Sequence, residues 1–132
     1  MLALHEWGDP TDPPLLLVHG LTESATAWPD AVARWSSQYH VLAIDQRGHG
    51  ASPRWDDEAL ARAPQTMHED LTRTLARLPE PPVVVAHSLG GLISLRVSVA
   101  RPELVRALVL EDVARPTGHW APAPWFVEHQ ER

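Results

Sequence analysis

Four short, unbroken apolar runs constrain this chain more than any other feature of its sequence. They are Leu15-Leu16-Leu17-Val18, Val41-Leu42-Ala43-Ile44, Val83-Val84-Val85-Ala86 and Ala107-Leu108-Val109-Leu110. A strand with one wet face alternates apolar and polar residues, so a continuous run predicts a strand covered on both faces. The stretches between the runs carry helical spacing. Trp28, Val32 and Trp35 recur at i, i+4 and i+7, with Pro29 where a first helical turn tolerates it. Thr66-Met67-His68-Glu69 reads as a capping box, after which Met67, Leu71, Leu75 and Leu78 line one face. A third helix is predicted from Ser88 to about Ala100, ending before Pro102. Leu2 to Trp7 is predicted as an edge strand. The alternation predicts an α/β fold: a mostly parallel sheet with helices on both faces and right-handed crossovers.

Composition narrows the partners. The chain has 132 residues, enough for one domain with a real core, and a formal net charge of −6. That balance speaks against a phosphate backbone or an anionic membrane as partner. The basic residues are all arginine and form no patch. There is no cysteine, so disulfides, thiol chemistry and thiolate metal sites are excluded. The N-terminal Met1 to Glu6 lacks the basic and apolar regions of a signal peptide, and the apolar runs are too short to span a bilayer. A cytoplasmic location is the expectation.

The segment Val83-Val84-Val85-Ala86-His87-Ser88-Leu89-Gly90-Gly91 runs a buried strand into a serine and then into a helix. A nucleophile elbow needs this order, because the serine occupies a tight, strained strand-to-helix turn. Small residues two places to either side let strand and helix pass closely. Ala86 and Gly90 meet that need, in an A-x-S-x-G variant of G-x-S-x-G. The same turn would put Ser88 at the positive end of the helix, where developing negative charge is favoured. The alternative is a serine that merely caps an ordinary helix. Leu16-Leu17-Val18-His19-Gly20-Leu21 is a second strand, ending in His-Gly. An acyl-transfer site needs two backbone N–H groups for its oxyanion, and Leu89 and Leu21 are the candidates. Gly20 would allow a close backbone approach, and His19 is expected to hold the loop in shape rather than to act as base.

A third segment, Asp45-Gln46-Arg47-Gly48-His49-Gly50-Ala51-Ser52, completes a series. His19-Gly20, Asp45-x-Arg47-Gly48-His49-Gly50-x-Ser52 and His87-Ser88-x-Gly90-Gly91 follow the order and rough spacing of the α/β-hydrolase superfamily, which the chain resembles over nearly its whole length. The resemblance implies a serine hydrolase of esterase or lipase type with Ser88 as nucleophile, a small-molecule acyl substrate and no cofactor or metal. Asp45, Arg47 and His49 are scaffold in this reading. Related motifs also serve haloperoxidases, lactonases and C–C bond hydrolases, and the sequence does not choose among them. A serine at the elbow argues against dehalogenase and epoxide hydrolase chemistry, which use aspartate there.

In that family the acid and then the histidine follow the serine. Asp112 is the one candidate acid, with a strand-end aspartate bonded to neighbouring backbone as the alternative. The catalytic histidine is expected to be missing, since His119 and His129 read as solvated side chains, and the isolated chain is therefore expected to be an incomplete fragment, weakly active or inactive. His87 should point away from the nucleophile and line the pocket or pack on a lid. Residues 1–114 are expected to form the N-terminal part of the core, truncated after about five strands. Residues 115–132, which include Trp120 and Trp125, read as the start of a lid. Trp28, Trp120 and Trp125 are candidates for an acyl pocket, or else core. The edge at Ala107 to Leu110 would be open to association. The rival expectation is a non-catalytic remnant or pseudoenzyme that binds a partner through that edge.

Overall fold

The computed structural model describes residues 1–113. The four apolar runs and the N-terminal segment form one five-stranded sheet, ordered β1-β3-β2-β4-β5. The strands are β1 (Leu4–Trp7), β2 (Pro14–Val18), β3 (His40–Ile44), β4 (Val83–His87) and β5 (Ala107–Glu111). β1 runs antiparallel to β3, and every other neighbouring pair is parallel. Four helices connect them: α1 (Pro29–Trp35), α2 (Asp57–Ala61), α3 (Ala63–Ala76) and α4 (Leu89–Ala100).

Alternate residues of the central strands feed two separate cores, which is why their sequences never alternate with polar residues. Leu16, Val18, Leu42, Ile44, Val84 and Ala86 pack against α3 and α4 through Met67, Leu71, Leu75, Leu89, Leu92, Ile93 and Val97. Leu15, Leu17, Val41, Ala43 and Val85 face the other way, toward Val32 and Trp35 of α1 and toward Trp28. The sheet is therefore helix-covered on both faces, as its composition predicts. β5 departs from the other three runs: Val109 is 50% exposed and Leu110 40%. Its apolar run marks a strand at the edge of the described sheet.

One helix start differs from the sequence reading. Thr66 does not cap a helix; α3 already begins at Ala63, with Pro64 in its first turn, and the Thr66 hydroxyl donates to the Ala59 carbonyl at 3.0 Å. The preceding cap belongs to Asp56, whose carboxylate accepts the Ala59 N–H at 2.7 Å and starts α2. A capping box supplies the right residue types, but the nearer aspartate and the proline take the boundary upstream. The predicted apolar face of Met67, Leu71 and Leu75 is buried. No helix among the described residues is long and apolar enough to cross a membrane.

Candidate active site

The carboxyl ends of β2, β3 and β4 converge, and each delivers one of the three sequence motifs. Ser88 follows β4 and has φ +53°, a left-handed conformation that costs a non-glycine residue about 1–3 kcal/mol. It precedes α4 yet makes no side-chain cap bond to that helix, so capping does not account for it. Its backbone N–H donates to the Glu111 carbonyl at 3.0 Å, tying the turn to the end of β5. A methyl group on Gly90 would lie 2.6 Å from the Val18 carbonyl oxygen and closer still to that of His19. Only glycine lets α4 descend so near the end of β2. Leu89, the first residue of α4, has a backbone N–H that no intrahelical acceptor can reach.

The loop after β2 is a turn closed by the Glu23 N–H on the Gly20 carbonyl at 3.4 Å, with Thr22 at φ +66°. Such a turn uses the N–H of its fourth residue and leaves that of Leu21, its second, unused. Gly20 lies against the serine: a methyl group there would be 3.1 Å from Ser88 Cβ. Three histidines from three strand ends hold this loop. His19 is fully buried, and its Nε2 accepts the Gln46 N–H at 2.9 Å. Its proton therefore sits on Nδ1, which donates to the Gly20 carbonyl at 2.6 Å. His49 donates from Nδ1 to the Arg47 carbonyl at 3.0 Å and accepts the Thr22 N–H on Nε2 at 3.1 Å. His87 donates from Nδ1 to the Glu23 carboxylate at 2.7 Å, and the Gly20 N–H reaches the same Glu23 oxygen at 3.3 Å.

The loop after β3 is fixed from within. Asp45 is buried and accepts the N–H groups of Ala25 at 2.8 Å and Ala51 at 3.0 Å, and His5 Nε2–H at 3.0 Å. Ser52 donates to the Asp45 carbonyl and accepts the Ala3 N–H at 2.8 Å. Arg47 forks onto the buried Asp70 at 2.8 and 3.0 Å and lies over the Trp55 ring. Arg54 donates to the carbonyls of Gly48, Gly50 and Ser52. These groups spend their bonds on the loop and not on a ligand.

Burial and bonding set the protonation states. Burial depresses the His19 pKa from 6.5, with nearby His49 in the same direction, against the Gly20 carbonyl and the nearby carboxylates. At Asp45 burial opposes the charge, but the Ala25 and Ala51 N–H groups and His5 outweigh it and hold the pKa below 3.8. Both groups bind fewer protons folded than unfolded, so stability rises with pH through each window. The His19 contribution is complete above about pH 6.5 and is lost as pH falls from there through its lower folded value. The Asp45 contribution survives to about pH 4 and is lost below it. The urea midpoint should therefore be lower at about pH 5.5 than at about pH 7.5. Replacing His19 with glutamine should flatten that difference, and equal slopes in both proteins would contradict it.

Asp112 is exposed, has φ +53° and stands just past β5, one residue beyond the Ser88–Glu111 backbone bond. Trp28, Trp35, Val85, His87, Glu23 and Glu111 line a cleft of about 350 Å³ on the α1 face. His119, His129, Trp120, Trp125 and the lid expected over residues 115–132 lie outside the described residues. The sequence reading missed Glu23, Gln46 and Arg54. Gln46 and Arg54 stand inside or next to the third motif, where the Gln46 side-chain amide donates to the His19 carbonyl and Arg54 to that of Ser52. Glu23 stands two residues past Leu21, and its partner His87 is 64 positions away, a pairing without local signature.

This arrangement of a mostly parallel sheet, a strained serine between strand and helix, and a glycine-lined loop beside it defines a class. The alpha/beta hydrolase family model matches residues 15–132, and the chain belongs to that family. It is 37% identical over 106 residues to the (E)-2-((N-methylformamido)methylene)succinate hydrolase of Acinetobacter baylyi, covering 79% of this chain and 39% of that protein. It is 34% identical over 117 residues to lipase LipV of Mycobacterium tuberculosis, covering 86% of this chain and 42% of that one. The chain thus spans about two-fifths of the length of these relatives. Among solved structures, the thioesterase domain from the curacin biosynthetic pathway superposes with a TM-score of 0.80 at 26% identity. The match covers 98% of this chain and 48% of that domain.

Proposed function

We propose that the chain is the nucleophile-bearing part of a serine hydrolase that cleaves carboxylic esters or related acyl bonds. The observation that carries this is Ser88 itself, held at φ +53° between β4 and α4 without a cap bond. Ser88 Oγ attacks the acyl carbon, and the N–H groups of Leu89 and Leu21 receive the oxyanion. A histidine takes the serine proton and passes it to the leaving alcohol; water then releases the acyl group by the reverse sequence. That histidine comes from outside residues 1–113, where His19, His49 and His87 are committed to the loop, His5 to Asp45 and His40 to Glu6, and His68 lies on α3 in a hollow with Arg73, Ala76 and Arg101. Asp112, at the strand end beside Ser88, is the acid candidate among these residues. No cofactor or metal enters the scheme.

The hydrolase and lipase names of the relatives support the reaction class. Likeness to epoxide hydrolases, such as that of Bacillus megaterium at 22% identity, concerns the fold alone. A non-catalytic binding role is the second reading, favoured by the exposed Val109 and Leu110 on β5. Assay of the protein against p-nitrophenyl acyl esters and styrene oxide separates these. Ester turnover lost in Ser88→Ala is the expected result. Epoxide turnover without ester turnover, or ester turnover unchanged in Ser88→Ala, would overturn it.

A further inference from the structure

We infer that Glu23 is a positioning residue that fixes the two proposed oxyanion donors relative to each other, an inference resting on the reading of Ser88 and its neighbours above. The donors come from elements far apart in sequence, Leu21 in the turn after β2 and Leu89 at the start of α4. One carboxylate oxygen joins the two elements. Glu23 Oε1 receives the Gly20 N–H at 3.3 Å and His87 Nδ1–H at 2.7 Å. Gly20 and Glu23 flank Leu21 and are already joined by the backbone bond that closes the turn. His87 immediately precedes Ser88, whose carbonyl accepts the first helical bond of α4 from Leu92 at 3.1 Å. Leu21 is thus held on one side of the carboxylate, and Leu89 on the other.

The pair is only partly covered, with His87 28% and Glu23 33% exposed at the side chain. An ion pair so exposed adds little to stability. Its consequence is geometric, because oxyanion donors act only when aimed at one point. The carboxylate is also acceptor-only, which fixes the His87 proton on Nδ1 and the ring orientation with it. Both bonds use Oε1, so glutamine can replace glutamate at this position, whereas alanine cannot.

Phenylboronic acid supplies a test on the full chain. Its boron bonds Ser88 Oγ and becomes a tetrahedral anion as the hydroxyl proton leaves to solvent, placing a boronate oxygen where the oxyanion would lie. The adduct is read by ¹¹B NMR, with Ser88→Ala as control. Glu23→Ala should weaken it about tenfold, less than outright loss of a donor, and His87→Ala should do the same. The double variant should be no worse than either alone. Glu23→Gln should stay within about twofold of the parent, and Tm should move by no more than about 2 °C in any of them. Unchanged affinity in Glu23→Ala overturns the inference, as does a loss that tracks a falling Tm and is not rescued by glutamine. Absence of any Ser88-dependent adduct in the parent instead overturns the reading of the site, and the inference falls with it.

Discussion

Ser88→Gly should make the protein more stable while removing every Ser88-dependent reaction. A serine at φ +53° carries about 1–3 kcal/mol of backbone strain. Glycine adopts that conformation freely, at an entropic cost of up to about 1 kcal/mol. The net expectation is a gain of about 1 kcal/mol, read as a higher urea midpoint with an unchanged m-value. Ser88→Ala keeps the strain, so it should shift stability little while removing the nucleophile, a loss of about 10⁶-fold in kcat wherever the base is in place. A serine that capped α4 predicts a loss in both variants: alanine would destabilise by about 1 kcal/mol and glycine by a few tenths, so glycine would fall below the parent instead of rising above it. The two variants together therefore separate an elbow from a cap by stability alone.

Gly90→Ala should be strongly destabilising. The added carbon would sit 2.6 Å from the Val18 carbonyl oxygen at the end of β2 and nearer to that of His19, where the loop that carries Leu21 begins. A flexible side chain could swing away, but a strand end held in the sheet cannot. Relief requires α4 to lift off β2, which would open the buried cluster of Leu89, Leu92, Ile93 and Val97. Overpacking of this kind costs about 1–3 kcal/mol, occasionally more, and here the upper end is expected. Because the displaced elements carry both proposed oxyanion donors, any folded fraction should also react poorly at Ser88. A urea midpoint equal to that of the parent would show that α4 and β2 are less closely packed than described.

The fold was legible because its strands are buried on both faces, a condition that writes itself into consecutive residues such as Leu15 to Val18. Helix starts were less so. Thr66 and Glu69 have the residue types of a capping box, but Asp56 and Pro64 act first and leave Thr66 inside a helix. The close approach at the candidate site was legible at Ser88, Gly90 and Gly20, where a tight turn permits few residue types. The bonds around it were not. Glu23 and His87 meet only because β2 and β4 are neighbours in the sheet, and neither residue carries a pattern that announces the other. His49 stands in a motif, yet its bond to the Thr22 N–H depends on how the third loop folds over the first.

Covalent labelling of the folded chain with a fluorophosphonate, followed by peptide mass spectrometry, tests the role of Ser88 most directly. An elbow with its oxyanion donors in place stabilises the charge that develops on the phosphoryl oxygen, so Ser88 should react slowly even when the base is absent. Prolonged incubation should accordingly modify Ser88 and no other serine. The label should disappear in Ser88→Ala and in urea, and added imidazole should speed it if the base lies outside the chain. Label spread over several serines, or equal labelling of folded and unfolded chains, would contradict Ser88 as the nucleophile.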